Sequence, residues 1–349
     1  MKASILYGNE DLRYEECEIP KLEDGNVKIK VCMSGICGSD IPRVLKNGAH
    51  FYPLILGHEF SGIVDEVASD VKDLKVGDHV VGIPLIPCMK CEDCNNGNYS
   101  LCKHYDFIGS RRNGSNAEYV VLPKENVYKI SNSIPFEQAA MFEPATVAMH
   151  AVKLLNFEKG KTVAILGAGT VGGFVTQIVK ALGASTIVSF GRNPKKLKLA
   201  SKLGATNVFS TLEEDFILKS KELTNGRGFD YVFETAGSVD TMKYAYELVG
   251  NKGKVCLIGT PTSNLEFTPK LWENLNRKEF ILTGSWMSYS YPFPGDEWKE
   301  IESMFADGRL KYYPEMIYKI FDLKDAYKAF EMYKNGKVEG KILLKCSKD

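Results

Sequence analysis

The stretch Val163-Ala164-Ile165-Leu166-Gly167-Ala168-Gly169-Thr170-Val171-Gly172 reads as strand, turn and helix. Four apolar residues suit a strand buried on both faces, and glycines at 167, 169 and 172 follow with the spacing G-x-G-x-x-G. Each glycine has its own task. Gly167 permits a tight turn, Gly169 lets a pyrophosphate approach the backbone, and Gly172 lets the following helix rest on the strand. Helical spacing continues over 171–182, and the start of that helix, at Thr170 and Val171, aims N–H groups and a partial positive charge at the phosphates. The spacing predicts a dinucleotide-binding turn.

Beyond this turn the chain alternates. Apolar runs end near Leu166, Phe190, Glu234, Ile258 and Gly284, with helix-like segments at 195–203 and 241–248. That order predicts a doubly wound parallel sheet with helices on both faces, occupying 151–285. The second strand of such a sheet ends where the adenosine ribose lies, and an acidic residue there selects NAD by accepting from the 2′-hydroxyl. Here the strand runs into Gly191-Arg192-Asn193. A guanidinium beside an absent carboxylate suits a 2′-phosphate, so NADP(H) is the expected cofactor and NAD the alternative.

Residues 1–150 have another texture. Short strand-like runs at 27–31, 62–67, 79–83 and 117–122, separated by turn residues, predict a β-rich, barrel-like domain. Residues 286–349 are expected to leave the parallel sheet and pack on this first domain, which makes the cofactor domain an insertion. Within the first domain lies Cys88-Met-Lys-Cys91-Glu-Asp-Cys94, followed by Cys102. Four thiolates at this spacing can close a tetrahedron around zinc with no open position, the arrangement of a structural site. Residues 92–100 are almost wholly polar, so the metal would do the folding work that apolar residues do elsewhere.

Other potential ligands are dispersed. Cys37 sits in Gly35-Ile-Cys37-Gly38-Ser39-Asp40, His58 and Glu59 follow Gly57, and Glu143 lies in Phe142-Glu143-Pro144. Oxidising an alcohol requires an electrophile that makes the hydroxyl more acidic, and three protein ligands with an open position provide one. A mixed sulfur, nitrogen and oxygen set favours zinc over magnesium or calcium.

Composition sets outer bounds. At 349 residues the chain is long enough for two domains, and 44% hydrophobic with 25% charged residues is a globular profile. Lys plus Arg and Asp plus Glu both number 44, so no global field draws the chain to nucleic acid or an anionic membrane. The first sixteen residues lack a signal peptide's apolar core and no later run is long enough to span a bilayer, so a cytoplasmic location is expected. Nine cysteines in such a chain are expected to be thiols or metal ligands rather than disulfides.

Gly35-Ile-Cys37-Gly-Ser-Asp40, Leu56-Gly-His58-Glu59, Val76-Gly-Asp-His-Val80, the four-cysteine loop and Glu143-Pro144 together resemble the zinc-dependent medium-chain dehydrogenases. The resemblance covers the whole chain. It implies a GroES-like catalytic domain, 1–150 plus 286–349, carrying an inserted Rossmann domain. It also implies two zincs per chain, with Cys37, His58 and Glu143 on the catalytic one, Glu59 as alternative ligand, and Ser39 as the first hydroxyl of a proton relay. One departure is plain: many members carry a histidine shortly after that hydroxyl, whereas Pro42 can pass no proton.

Pro42-Arg43, Lys46-Asn-Gly-Ala-His50, Tyr105-Asp-Phe-Ile-Gly-Ser-Arg111-Arg112 and Gly284-Ser-Trp286-Met-Ser-Tyr289 bring the resemblance closer to the branch that acts on galactitol 1-phosphate. The implied reaction is reversible oxidation of a secondary hydroxyl in a polyol phosphate, of the galactitol 1-phosphate to tagatose 6-phosphate type. Arg43, Lys46, Arg111 and Arg112 are candidate phosphate ligands. Trp286, Tyr289 and Tyr291 either line the pocket or pack in a core or subunit interface. Rival readings are a dehydrogenase of unphosphorylated polyols, of the sorbitol or threonine type, and a zinc-bearing structural protein that keeps the nucleotide fold. By analogy with the family, a homodimer or homotetramer is expected.

Overall fold

The computed structural model describes residues 1–261, 263–336 and 338–347. The chain divides into two compact units, Met1–Glu143 with Tyr289–Trp298 and Ile317–Asp349, and Pro144–Ser288 with Lys299–Met316. In the first, a seven-stranded sheet is built around the strand Asn26–Gly35. Along the first part of this strand Val27, Ile29 and Val31 point into the core while the residues between them are half-buried, the period-two pattern of a strand with one covered face. Its neighbours are Glu59–Val67 along one side and, along the other, Tyr119–Pro123 beside its first half and Lys341–Lys345 beside its end, all antiparallel to it. The chain therefore supplies the centre of this sheet from segments more than three hundred residues apart, which no local pattern announces.

The second unit holds six parallel strands. Their spatial order is Asn207–Ser210, Thr186–Gly191, Thr162–Leu166, Phe229–Glu234, Val249–Leu257 and Ile281–Gly284. This 3-2-1-4-5-6 order is that of a doubly wound dinucleotide-binding sheet, which places the crevice at the carboxyl ends of the first and fourth strands. The expected helices form at Thr170–Ala181, Pro194–Leu203 and Val239–Leu248. Asn207–Ser210 is a strand that the sequence did not reveal, because all four residues are only half-buried and two are polar. Ile281–Gly284 forms one edge, with Ile281 exposed.

The division differs from the expected boundaries of 150 and 286. The second unit begins at Pro144, inside the helix Phe142–Leu154, and it also claims 299–316. The reason is packing: Phe305 meets Phe174 edge-on, the Lys311 N–H donates to Gln177 Oε1 at 2.9 Å, and Lys202 pairs with Glu315. Among the described residues, no helix is long and apolar enough to cross a membrane.

Candidate active site

The four-cysteine loop closes on itself. A short helix, Glu92–Asn95, and a 3₁₀ turn, Tyr99–Leu101, bring Cys88, Cys91, Cys94 and Cys102 together so that all four sulfurs lie within 4.8 Å of one another. Cys88 Sγ is 4.0 Å from Cys94 Sγ, and Cys91 Sγ is 3.8 Å from Cys102 Sγ. A tetrahedron of zinc–sulfur bonds of about 2.3 Å has edges of about 3.8 Å, so the cage fits the ion. The backbone N–H of Lys90 leads the interactions that hold the Cys88 thiol down to about 6, while burial pushes Cys94 up to about 12.

A second cluster forms where Asn26–Gly35 pairs with Glu59–Val67. The register sets Gly35 opposite Glu59, which brings Cys37, two residues on, beside His58. One ligand atom from each of Cys37, His58 and Glu59 lies within 4.8 Å of the others. Thiolate, imidazole and carboxylate so gathered, and largely sheltered from water, fit zinc. Glu143, at the start of Phe142–Leu154, falls outside that cluster of atoms, but it is buried and feels the charges of His58 and Cys37. Burial first, opposed by His58, raises its carboxyl to about 7. Burial disfavours the charged forms of Cys37 and His58 as well, yet His58 lowers the thiol, and Asp40 followed by Cys37 raises the imidazole.

Residues around the cluster orient it. Asp40 Oδ1 stands 3.7 Å from His58 Nδ1, and Asp40 Oδ2 accepts from the Cys37 N–H at 3.2 Å. Ser39 donates through Oγ to Cys37 Sγ at 3.4 Å. Lys341 is buried against the Glu59 carboxylate, and burial lowers its ammonium to about 8. A Cβ on Gly35 would stand 2.8 Å from both Glu59 Oε2 and Lys341 Cε, so only glycine leaves room for this pair. Asp40 and Lys341 were not foreseen as site residues. Asp40 sits in the quoted motif and could have been found there; Lys341 could not, being 282 residues from its partner.

The four candidate phosphate ligands separate. The Arg43 guanidinium already donates to Ser39 Oγ and Asp40 Oδ1, each at 3.0 Å. Arg112 stands 3.6 Å from Asp106. Lys46 is exposed, with no ion pair among the described residues. Arg111 lies over the Tyr105 ring at 4.5 Å, Tyr105 meets Phe107 edge-on, and Phe107 meets His58 edge-on at 5.3 Å, so a line of rings leads from the cluster to this cation. Of the three aromatic residues, Tyr289 is core, stacked with Trp298 and Phe293, whereas Trp286 and Tyr291 are 53% and 75% exposed.

In the second unit each glycine of the turn behaves differently. Gly167 has φ +111°, and a Cβ on Gly172 would stand 1.9 Å from the Gly167 carbonyl oxygen. A Cβ on Gly169 would meet nothing within 4 Å. The first and third glycines are thus needed by the protein itself, and the second leaves open space. The helix Thr170–Ala181 starts without a side-chain cap, which suits a ligand's phosphate at that end. Thr186–Gly191 ends beside exposed Arg192, and Asn193 caps the next helix by accepting from the Lys195 and Lys196 N–H groups.

Residues 23–132 match the family described as alcohol dehydrogenase GroES-like domain, and residues 170–306 match that described as zinc-binding dehydrogenase. Galactitol 1-phosphate 5-dehydrogenase of Escherichia coli (strain K12) is 39% identical over 345 residues, covering 99% of each chain. The crystal structure of galactitol-1-phosphate dehydrogenase from Escherichia coli superposes with TM-score 0.94 at 37% identity, over 99% of this chain and 100% of that one. A zinc-binding dehydrogenase from Sinorhizobium meliloti 1021, bound to NADP, gives TM-score 0.88 at 28% identity over 98% of both chains. With this coverage, and with a thiolate–imidazole–carboxylate cluster in one unit and an open glycine turn in the other, the chain belongs to the zinc-dependent medium-chain dehydrogenases, enzymes that use a nicotinamide cofactor.

Proposed function

We propose that the enzyme oxidises a secondary hydroxyl of an open-chain polyol phosphate, of the galactitol 1-phosphate to tagatose 6-phosphate type, with NADP(H). The observation that carries the substrate class is the line His58–Phe107–Tyr105–Arg111, which joins a cation to the ligand cluster. The 39% identity to a galactitol 1-phosphate 5-dehydrogenase supports it. When bound, zinc supplies Lewis acidity to the hydroxyl and nicotinamide an acceptor for hydride. Cys37, His58 and Glu143 hold the catalytic metal, Glu59 can exchange into the set, and the four-cysteine cage holds the second zinc. Ser39 Oγ takes the hydroxyl proton outward, and its exposure lets water receive it where Pro42 cannot. Lys46, Arg111 and Arg112 receive the terminal phosphate, Trp286 lies on the apolar side of the substrate, and the exposed edge strand Ile281–Gly284 suits pairing with a second copy.

A panel of polyols with and without phosphate tests the substrate class. Galactitol 1-phosphate should exceed galactitol in kcat/KM. Arg111→Glu or Lys46→Glu should lower that advantage about 10- to 100-fold, the worth of one or two kcal/mol-scale bonds to a charged group. An unchanged ratio in both variants removes phosphate recognition from these loops, and galactitol turned over as well as its phosphate makes the enzyme a dehydrogenase of free polyols.

The cofactor is tested in the same assay. Exposed Arg192, with no acidic side chain at 191–193, favours a 2′-phosphate. The wild type should prefer NADP, and Arg192→Ala should cut kcat/KM for NADP about 10- to 100-fold while leaving NAD nearly unchanged. A wild type that prefers NAD overturns the assignment.

A further inference from the structure

Residues 39–43 form one helical turn, Asp40–Pro42 running into the wider turn Arg43–Asn47. On such a turn, positions three and four apart share a face, so Arg43 lies over both Asp40 and Ser39. Its Nη1 carries two hydrogens, and the structure shows two acceptors at 3.0 Å, Ser39 Oγ and Asp40 Oδ1. We infer that Arg43 is a positioning residue for the metal centre, holding Ser39 and Asp40 in place around Cys37 and His58, rather than a ligand of the substrate's phosphate. The inference rests on the reading of Cys37 and His58 as zinc ligands.

Each acceptor touches one side of the centre. Asp40 is 1% exposed, and its carboxylate spans the Cys37 N–H on one oxygen and the edge of His58 on the other. A carboxylate this deep needs a cation and filled hydrogen bonds to stay where it is. The nearby ammonium of Lys341 is engaged with Glu59, which leaves Arg43 as the cation in direct contact with Asp40. A carboxylate facing the second nitrogen of a metal-bound imidazole fixes the orientation of that ring.

Ser39 is the other half. With the guanidinium donating to one oxygen lone pair, its own hydrogen is turned to Cys37 Sγ at 3.4 Å, and the Ser39 N–H approaches the same sulfur at 3.5 Å. Arg43 thereby fixes the position of the Ser39 oxygen, and the hydroxyl hydrogen turns from Cys37 Sγ to water when the proposed relay operates. At position 42, where many members of the family place a histidine, this chain has a proline that can donate nothing, and the neighbouring arginine supplies the polar contact to the serine. Lysine would keep the charge and could reach both acceptors, but without the rigid planar fork that holds them at a set angle.

The test compares the zinc-loaded wild type, Arg43→Met and Arg43→Lys. Release of the catalytic zinc to a chelator is followed with the four-cysteine zinc as internal reference, together with the thiolate-to-metal band of the cobalt-substituted enzyme. Arg43→Met should release catalytic zinc about 10- to 100-fold faster, the usual cost of losing an outer partner of a metal ligand, and shift the cobalt band. Its kcat should fall by a similar factor for galactitol 1-phosphate and galactitol, and Arg43→Lys should recover part of both losses. Unchanged zinc release and cobalt spectrum, with KM raised only for the phosphorylated substrate, overturn the inference and make Arg43 a phosphate ligand. Should Arg43→Met fail to fold, Arg43→Lys decides alone: wild-type release and band position overturn the inference, faster release and a shifted band support it. Should the wild type oxidise neither polyol, the proposed substrate fails, while the metal measurements still decide on Arg43.

Discussion

Replacing His58 by alanine should leave one zinc per chain instead of two and lower kcat/KM by roughly three to four orders of magnitude, the rate equivalent of several kcal/mol of lost charge stabilisation. The imidazole is buried, shares a cluster with Cys37 and Glu59, and has Asp40 behind it. Removing it takes away a proposed ligand and leaves the Cys37 and Asp40 charges without the group that offsets them. Metal analysis with steady-state kinetics checks this, and circular dichroism confirms that the fold survives. A variant that keeps two zincs and near-native turnover places the catalytic metal elsewhere.

The second large effect is on stability. Cys94→Ala should lose the zinc of the four-cysteine loop and open the segment between residues 88 and 102 to proteolysis, with a fall in Tm on the order of 10 °C. The loop has little apolar burial to fall back on: Met89 and Leu101 are exposed, and Tyr99 is covered through its edge-on contact with Phe293. Zinc binding to such cages is worth about 10–16 kcal/mol at neutral pH, as much as the whole stability of many domains. An unchanged Tm and an uncut loop would mean that the four sulfurs hold no structural metal.

What could be read from the sequence was what local chemistry determines. The glycine turn was legible because its spacing is local, with Gly172 needed to clear the Gly167 carbonyl five residues back, and the four cysteines because their ligand geometry is set within fifteen residues. Cys37 and His58 were legible only through motif resemblance, since their meeting depends on the register of two strands. Lys341 and the packing of 299–316 were beyond reach: a lysine in a short apolar strand and an amphipathic helix carry no mark of which distant surface receives them. Arg43 shows a third case, in which the charge was visible but its partners were not. Both Ser39 and Asp40 stood in the quoted motif, and only the helical turn revealed that they claim the guanidinium first.

The central position of the strand Lys341–Lys345 sets an order of events during synthesis. A ribosome must pass every strand of the six-stranded parallel sheet before this one exists, so that sheet can assemble from contiguous chain while the first unit still lacks a central strand. Until then Glu59 has no ammonium beside it, and Gly35 borders a gap. The nucleotide half therefore matures on its own schedule, and the metal-binding half is finished by the chain made after it.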